Sequence, residues 1–445
     1  VMVTNVRLCA PSHRCQADGI AVHAWYGLRY AQGAGRFEAA RAASGTMGAT
    51  RLSQVPIFPQ RPSRLAAVMG AGSPNPQSED AYFLNVWAPA QAQGLPVVFF
   101  IHGGAWMSGG GALDWYDGTR LAAQGVIVVN VNYRLGALGH LGDAQADALP
   151  LPAADLVLAL QWVKDHIRAF GGDPDKTTLM GQSAGGWYAH LLSVLDSTRA
   201  WIDRLALLSM GTRAPWLPEQ QARISERTRS DLDEDWRKVN VDVLMQQAMA
   251  ALDKEPPRLG HAPSAFLPVA SADVPEDLLS PDWAAQACHA QAVYLRCAAQ
   301  ESSVFFFDVP FHRQATQEQV DLALGLWPLQ DLPASLVRSG AYCGGDSGLT
   351  PYQQVVAASS WVQFQRFPTQ YAASLEAAGR AVQWSDFTEQ SPLEAVFSGH
   401  CFDLPFQFGQ FQAWHDAPMM QGVTQEQFEP VAQRLMQEIT RFVGA

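Results

Sequence analysis

Cysteine is scarce and never closely paired. The chain has six, Cys9, Cys15, Cys288, Cys297, Cys343 and Cys401, in 445 residues, and none falls in a Cys-x-x-Cys spacing. That excludes a cysteine-based zinc site, and neither a metal nor a cofactor is expected. Cys9 and Cys15 stand close enough to close a small loop, but reduced thiols are the plainer reading and point to the cytoplasm. Basic runs are also missing. With a net charge of −12 and no cluster of Lys or Arg, nothing supplies phosphate contacts, so nucleic acid is not an expected partner. No apolar run approaches the roughly 20 residues of a membrane-spanning helix. The longest, around Leu95–Ile101, is strand-sized. Val1 to Thr4 carry no basic stretch leading into an apolar one, so no secretory signal is expected there. There is no internal repeat and no low-complexity linker.

What is present is an ordinary globular composition, 48% hydrophobic and 16% charged, which argues against disorder. Residues 20–90 are rich in Gly, Pro and Ala, with short apolar runs at Ala21–Tyr26 and Tyr82–Trp87 that read as strands. Pro96–Ile101 is a continuous apolar run, the pattern of a strand buried on both faces, and Gly125–Tyr133 reads as a second buried strand. Ala153–Phe170 places Leu156, Leu160, Val163 and Ile167 at helical spacing and ends at Gly171-Gly172. A strand before Ser183, a helix after it and a strand at Leu205–Leu208 complete an alternating series. Such a series predicts an α/β fold with a mostly parallel central sheet and helices on both faces. Charge concentrates after residue 212, with helix-like stretches such as Val241–Leu252. One domain over 1–445 is expected, with a helical cap or lid inserted at about 212–290. Gln291–Cys297 and Ala381–Phe387 read as late strands, and Thr424–Val443 as an amphipathic terminal helix.

The chemistry centres on Gly181-Gln182-Ser183-Ala184-Gly185, a Gly-x-Ser-x-Gly between a strand pattern and a helix pattern. In that context the serine sits on a sharp turn at the sheet edge, as in the nucleophile elbow of an α/β-hydrolase fold. A serine hydroxyl needs a base to take its proton, an acid to orient the base, and donors for the oxyanion. Ala184, next after the nucleophile, is placed to give one donor. The loop His102-Gly103-Gly104-Ala105, after a buried strand, is placed to give others. The order serine, acid, histidine leaves His261, His289, His312, His400 and His415 after Ser183; His400 is best placed, after the last strand, with His415 the alternative. For the acid, Glu301 follows the Val293–Cys297 strand, and Asp308 and Asp346 compete with it. Trp106 and Trp187 flank the loop and the elbow and are candidate pocket walls.

These residues resemble the type-B carboxylesterase family, which includes the cholinesterases. The resemblance rests on Ser78-Glu79-Asp80 with Leu84-Asn85-Val86-Trp87, on His102 to Trp106, on Asn132-Tyr133-Arg134-Leu135-Gly136, on Phe170-Gly171-Gly172-Asp173-Pro174 and on the elbow. Downstream, Glu301-Ser302-Ser303 and His400 with Asp403-Leu404-Pro405 are similar to the family's acid and histidine segments. The resemblance implies a Ser183–His400–Glu301 triad and oxyanion donors on the backbone of Gly104, Ala105 and Ala184. It implies a supporting role for Ser209 beside the acid, and ion pairs Arg36–Glu79 and Arg134–Asp173. Gln182 stands where the family often has Glu, and Ala81 where many members have cysteine. The tryptophan that meets choline in cholinesterases falls near Ala71-Gly72, so a choline cation lacks its cation–π partner. The chain is also shorter than many members between the nucleophile and His400, which implies an abbreviated cap.

The expected function is a serine carboxylesterase that hydrolyses small ester substrates through an acyl-enzyme. An amidase or lactonase using the same triad is the near alternative, and a non-catalytic binding or adhesion module the distant one. Because His400 must be neutral to act as a base, activity is expected to fall below about pH 6–7.

Overall fold

The computed structural model describes residues 10–43, 49–142, 149–254, 256–342 and 348–444. Cys9 and the candidate acid Asp346 lie outside the described residues; Cys15, on the first strand, is a free thiol among the described residues. Nine strands form one sheet: β1 (His13–Ala17), β2 (Ile20–Arg29), β3 (Phe83–Pro89), β4 (Leu95–Ile101), β5 (Ile127–Val131), β6 (Gly172–Gln182), β7 (Arg204–Leu208), β8 (Ala292–Ala298) and β9 (Ala381–Phe387). Their spatial order is β1-β2-β3-β5-β4-β6-β7-β8-β9. The first three pair antiparallel, as does β3 with β5, and every later pairing is parallel. This is the α/β-hydrolase architecture, a mostly parallel sheet sandwiched by helices.

The alternation of β4 shows why the sheet needs two covers. Val97, Phe99 and Ile101 join one apolar cluster, while Val98 and Phe100 join the other. All five are fully buried, as a central parallel strand requires. On the first face lie α1 (Leu151–His166) and α2 (Ala184–Leu192), whose Leu156, Leu160, Trp187 and Leu191 enter the cluster. The helix anticipated to Phe170 tightens into a 3-10 turn over Ile167–Phe170 and stops at Gly171, whose φ is 85°. On the second face lies the terminal helix Gln425–Val443, burying Phe428, Leu435, Ile439 and Phe442. Thr424 caps it through a reciprocal pair with Gln427.

Two long connections stand at the carboxyl ends of the parallel strands. Residues 209–291 join β7 to β8 and carry α3 (Pro218–Ser230) and α4 (Val241–Leu252). Residues 299–380 join β8 to β9. They include helix Pro351–Ser360, a π-helical turn at Trp361–Gln365 and helix Arg366–Ala377.

One expected ion pair forms and the other does not. Arg36 grips Glu79 through two 2.7 Å bonds and also donates to the carbonyls of Trp236 and Val239, tying the β7–β8 connection to the sheet. Arg134 pairs with Asp155 of α1, at 2.6 and 2.8 Å, instead of Asp173. The register explains the correction. Arg134 follows the carboxyl end of β5, whereas Asp173 lies at the amino end of the parallel β6, on the opposite edge of the sheet. Asp173 instead accepts the Asp175 N–H, with Lys176 3.8 Å away.

Among the described residues no helix is long and apolar enough to cross a membrane.

Candidate active site

Strand β6 ends at Gln182 and α2 begins at Ala184, so Ser183 alone makes the turn. Its φ of 55° and ψ of −121° are an unfavourable conformation for a residue with a Cβ. Packing holds it there: the Ser183 N–H donates to the Leu208 carbonyl at 3.0 Å, and its own carbonyl accepts from Trp187 N–H at 3.1 Å. The flanking glycines permit the crossing. A Cβ on Gly185 would sit 2.0 Å from the Ile101 carbonyl oxygen, and one on Gly181 would sit 2.3 Å from that of Gly185. The motif is therefore a steric requirement of helix α2 crossing close over β4 and β6.

The structure brings two distant side chains to this turn. His400 Nε2 lies 2.8 Å from Ser183 Oγ, and His400 Nδ1 lies 2.6 Å from Glu301 Oε2. Glu301 follows β8 and His400 follows β9, so adjacent strand ends supply both. Glu301 is fully buried, and its other oxygen accepts the Ala298 N–H at 2.7 Å. With both oxygens engaged the carboxylate is fixed, and it fixes the ring. Burial disfavours the imidazolium, yet the Cys401 sulfur and the Glu301 carboxylate outweigh it, and the pKa of His400 stands well above the usual histidine value. A thiol carries charge only when ionised, so we hold the Glu301 carboxylate responsible.

The competing residues are elsewhere. Asp308 is exposed, and exposed His415 bonds only the Gln412 carbonyl. His289 bonds the Leu195 carbonyl, and His312 stacks edge-on against Phe306. Ser209 is buried and its hydroxyl has no hydrogen-bond partner among the described residues, while the Ala298 N–H bonds Glu301. Gln182 is closer to the chemistry than its place before the serine implied. Its Nε2 reaches 3.4 Å from His400 Nε2 and 3.3 Å from Cys401 Sγ.

Opposite the serine, Gly104 has a φ of 113°, and a Cβ there would overlap the Ser108 carbonyl at 1.9 Å. Ala105 and Trp106 also take positive φ, 53° and 61°. Among the described residues nothing accepts from the N–H of Gly104, Ala105 or Ala184, which leaves three donors free beside Ser183. Two motif asparagines brace the loop that follows. Asn132 accepts from Gly111 N–H at 2.8 Å, and Asn85 donates to the Gly111 carbonyl at 3.1 Å. His102 stacks on Tyr133, and burial pulls its pKa down to about 4, so it stays neutral and structural.

Sequence reasoning missed Arg296. Fully buried on β8, it donates to Asp403 at 2.7 and 3.0 Å and to Gln407 at 2.7 Å, anchoring the segment that carries His400. An arginine inside an otherwise apolar strand was the available signal. Removing one partner of such a pair typically costs about 3–5 kcal/mol, because the other charge is left buried and alone.

Ser183 and His400 open onto a cavity of about 440 Å³. Trp106, Met245, Met249, Phe266, Phe305 and Phe364 make it chiefly apolar. Phe364 projects from the π-helical turn to within 4.8 Å of the His400 ring centre, and Phe305 lies at 5.8 Å. Trp106 lines this cavity as anticipated. Trp187 does not: it is fully buried behind Trp106, with its indole N–H on the Arg213 carbonyl at 3.0 Å.

Comparison with known proteins agrees with this geometry. The carboxylesterase family pattern matches residues 12–320. A probable N-octanoylanthranilate hydrolase of Rhodococcus erythropolis is 32% identical over 384 residues, 82% of this chain and 76% of that protein. The para-nitrobenzyl esterase of Bacillus subtilis is 40% identical over 217 residues, 46% of this chain and 43% of that protein. The solved structure of a thermophilic PNB esterase superposes with a TM-score of 0.74 at 26% identity, covering 97% of this chain and 88% of that one. The chain belongs to the carboxylesterase family and is a carboxylic ester hydrolase.

Proposed function

We propose that Ser183, His400 and Glu301 carry out ester hydrolysis as nucleophile, base and orienting acid. The observation that carries this reading is the unbroken contact from Ser183 Oγ through both ring nitrogens of His400 to Glu301, at 2.8 and 2.6 Å. Ser183 Oγ attacks the ester carbonyl carbon as His400 Nε2 takes its proton. Glu301 holds the Nδ1–H tautomer and stabilises the imidazolium. The carbonyl oxygen, now negative, is received by the N–H groups of Gly104, Ala105 and Ala184. His400 returns its proton to the departing alcohol, leaving an acyl-Ser183, and a water activated by the same nitrogen releases the acid. The apolar lining suits an ester with an apolar acyl or alcohol group. The chain is read as one domain, with the insertion at about 212–290 roofing the cavity, and its sparse cysteines favour the cytoplasm.

The test is rapid-mixing hydrolysis of a para-nitrophenyl ester across pH. We expect a burst of nitrophenol approaching one equivalent of enzyme where deacylation is slower, and a kcat/KM that rises with pH through one ionisation. The sign follows from the structure. A base must be neutral, and a raised pKa keeps His400 protonated to higher pH, so the midpoint lies above the ordinary histidine value of about 6.5. A flat profile through neutrality contradicts the assignment of His400. The relative matched over most of the chain is named for an N-octanoyl substrate, so the anilide of the same acyl chain is the second bond to assay.

A further inference from the structure

The chain carries a net charge of −12, yet no Asp, Glu or Lys lines the cavity at Ser183 among the described residues. Besides His400, its charged lining is three arginines, Arg61, Arg64 and Arg213. They are not equivalent. Arg61 and Arg64 are exposed, and Arg64 is already paired with Asp253 at 2.5 Å. Arg213 is half-buried, and among the described residues no carboxylate lies within ion-pair distance of it. Its Nη2 donates to the carbonyls of Ala262 and Pro263 at 2.9 and 2.7 Å, while Nε and Nη1 have no acceptor among the described residues.

A half-buried guanidinium with backbone carbonyls but no carboxylate beside it is only partly compensated. Nearby Arg64 adds repulsion. Burial first, and that neighbouring charge second, pull the pKa of Arg213 down to about 10, so it remains cationic at neutral pH. An anion entering the cavity meets a guanidinium whose Nε–H and Nη1–H are open; they point to different sides of the group, so each offers a single charge-assisted hydrogen bond to a carboxylate oxygen. Exposed Arg61 at the cavity's edge would draw such an anion in against the chain's negative charge.

We propose that the preferred substrates are esters bearing a free carboxylate, and that Arg213 is the specificity-determining residue that receives it. This rests on the esterase reading of Ser183 given above. The carboxylate can belong to the acyl half or to the alcohol half, and the test separates the two. Two matched pairs serve: para-nitrophenyl adipate monoester against its carboxamide, and meta-hexanoyloxybenzoate against its carboxamide. For at least one pair, the wild type should show a higher kcat/KM for the carboxylate. Arg213→Met should lower that carboxylate-to-carboxamide ratio by about tenfold or more, the scale of one charged hydrogen-bonded contact. Arg213→Lys, which keeps the charge and loses the second open donor, should lower it less. If wild type favours the carboxylate in neither pair, or Arg213→Met leaves the ratio unchanged, this inference is overturned while ester hydrolysis stands. If wild type hydrolyses none of the four esters, the esterase reading itself fails. The wild-type comparison needs no variant, so a poorly folding Arg213→Met does not remove the test.

Discussion

Ser183→Ala should lower ester hydrolysis by on the order of 10⁴-fold or more and leave the protein folded. The loss is that large because nothing else at the turn can form the acyl bond. Gln182 and Ala184 flank the serine, and Cys401 is turned toward Gln182 Nε2 at 3.3 Å. A residual rate over the uncatalysed reaction is expected, since the free N–H groups of Gly104, Ala105 and Ala184 still polarise a bound carbonyl. Stability should change little or rise slightly. Ser183 Oγ is committed only to His400, and the strain of φ 55° is a cost to folding that alanine shares. Kinetic assay with a matched thermal melt checks both halves. Activity within tenfold of wild type removes Ser183 from the mechanism.

Glu301→Gln should be nearly as damaging, roughly 10³–10⁴-fold in kcat. The amide is close to isosteric, so the effect is electronic. Glu301 Oε2 accepts the Nδ1–H of His400 at 2.6 Å, and Oε1 accepts Ala298 N–H at 2.7 Å. An amide cannot accept at both places. If its oxygen keeps Ala298, its NH₂ faces Nδ1 and forces the proton to Nε2, which is then useless as a base. The variant also loses the carboxylate that raises the His400 pKa, so the acid limb of its residual activity should move to lower pH. A merely structural role for Glu301 would not move that limb. Asp308→Asn, at an exposed carboxylate remote from the ring, is the comparison and should change activity little.

The parts of this site that were legible in the sequence are those whose chemistry is local or whose order is constrained. The elbow is readable because Gly181 and Gly185 stand at fixed offsets around Ser183 between a strand pattern and a helix pattern, although the contact that requires Gly185 is with Ile101 on β4. Glu301 and His400 follow successive strands, β8 and β9, so topology places each once the strands are recognised. Their choice over Asp308 and His415 came from the family resemblance. What escaped depends on long-range packing. Arg134 was matched to Asp173 across the sheet because motif order says nothing about which end of a strand a residue occupies; its partner is Asp155, one turn into α1. Phe364 enters the cavity because a π-helical turn interrupts a long helix, and an apolar residue in a helix carries no mark of that. Trp187 had the position of a pocket wall, but Trp106 stands between it and the cavity. Arg213 sits among unremarkable residues in sequence, and what makes it distinctive is that among the described residues it bonds backbone carbonyls and no carboxylate.

The contacts also separate the supports of the site from its reacting atoms. Arg296 and Asp403 hold the His400 segment to β8, Asn85 and Asn132 hold the glycine loop, and Arg36 with Glu79 holds the β7–β8 connection. None of these residues lines the cavity at Ser183. Changes there should act through the placement of His400, the free N–H groups or the cavity roof.

The central claim is that one serine, activated by His400, forms a covalent bond to the substrate. Its most direct measurement is the intact mass of the protein after treatment with a fluorophosphonate, followed by peptide mapping. The account predicts a single phosphonyl adduct on Ser183, formed faster as pH rises through the His400 ionisation and absent in Ser183→Ala. No adduct on the active, folded protein, or an adduct on any other residue, contradicts it.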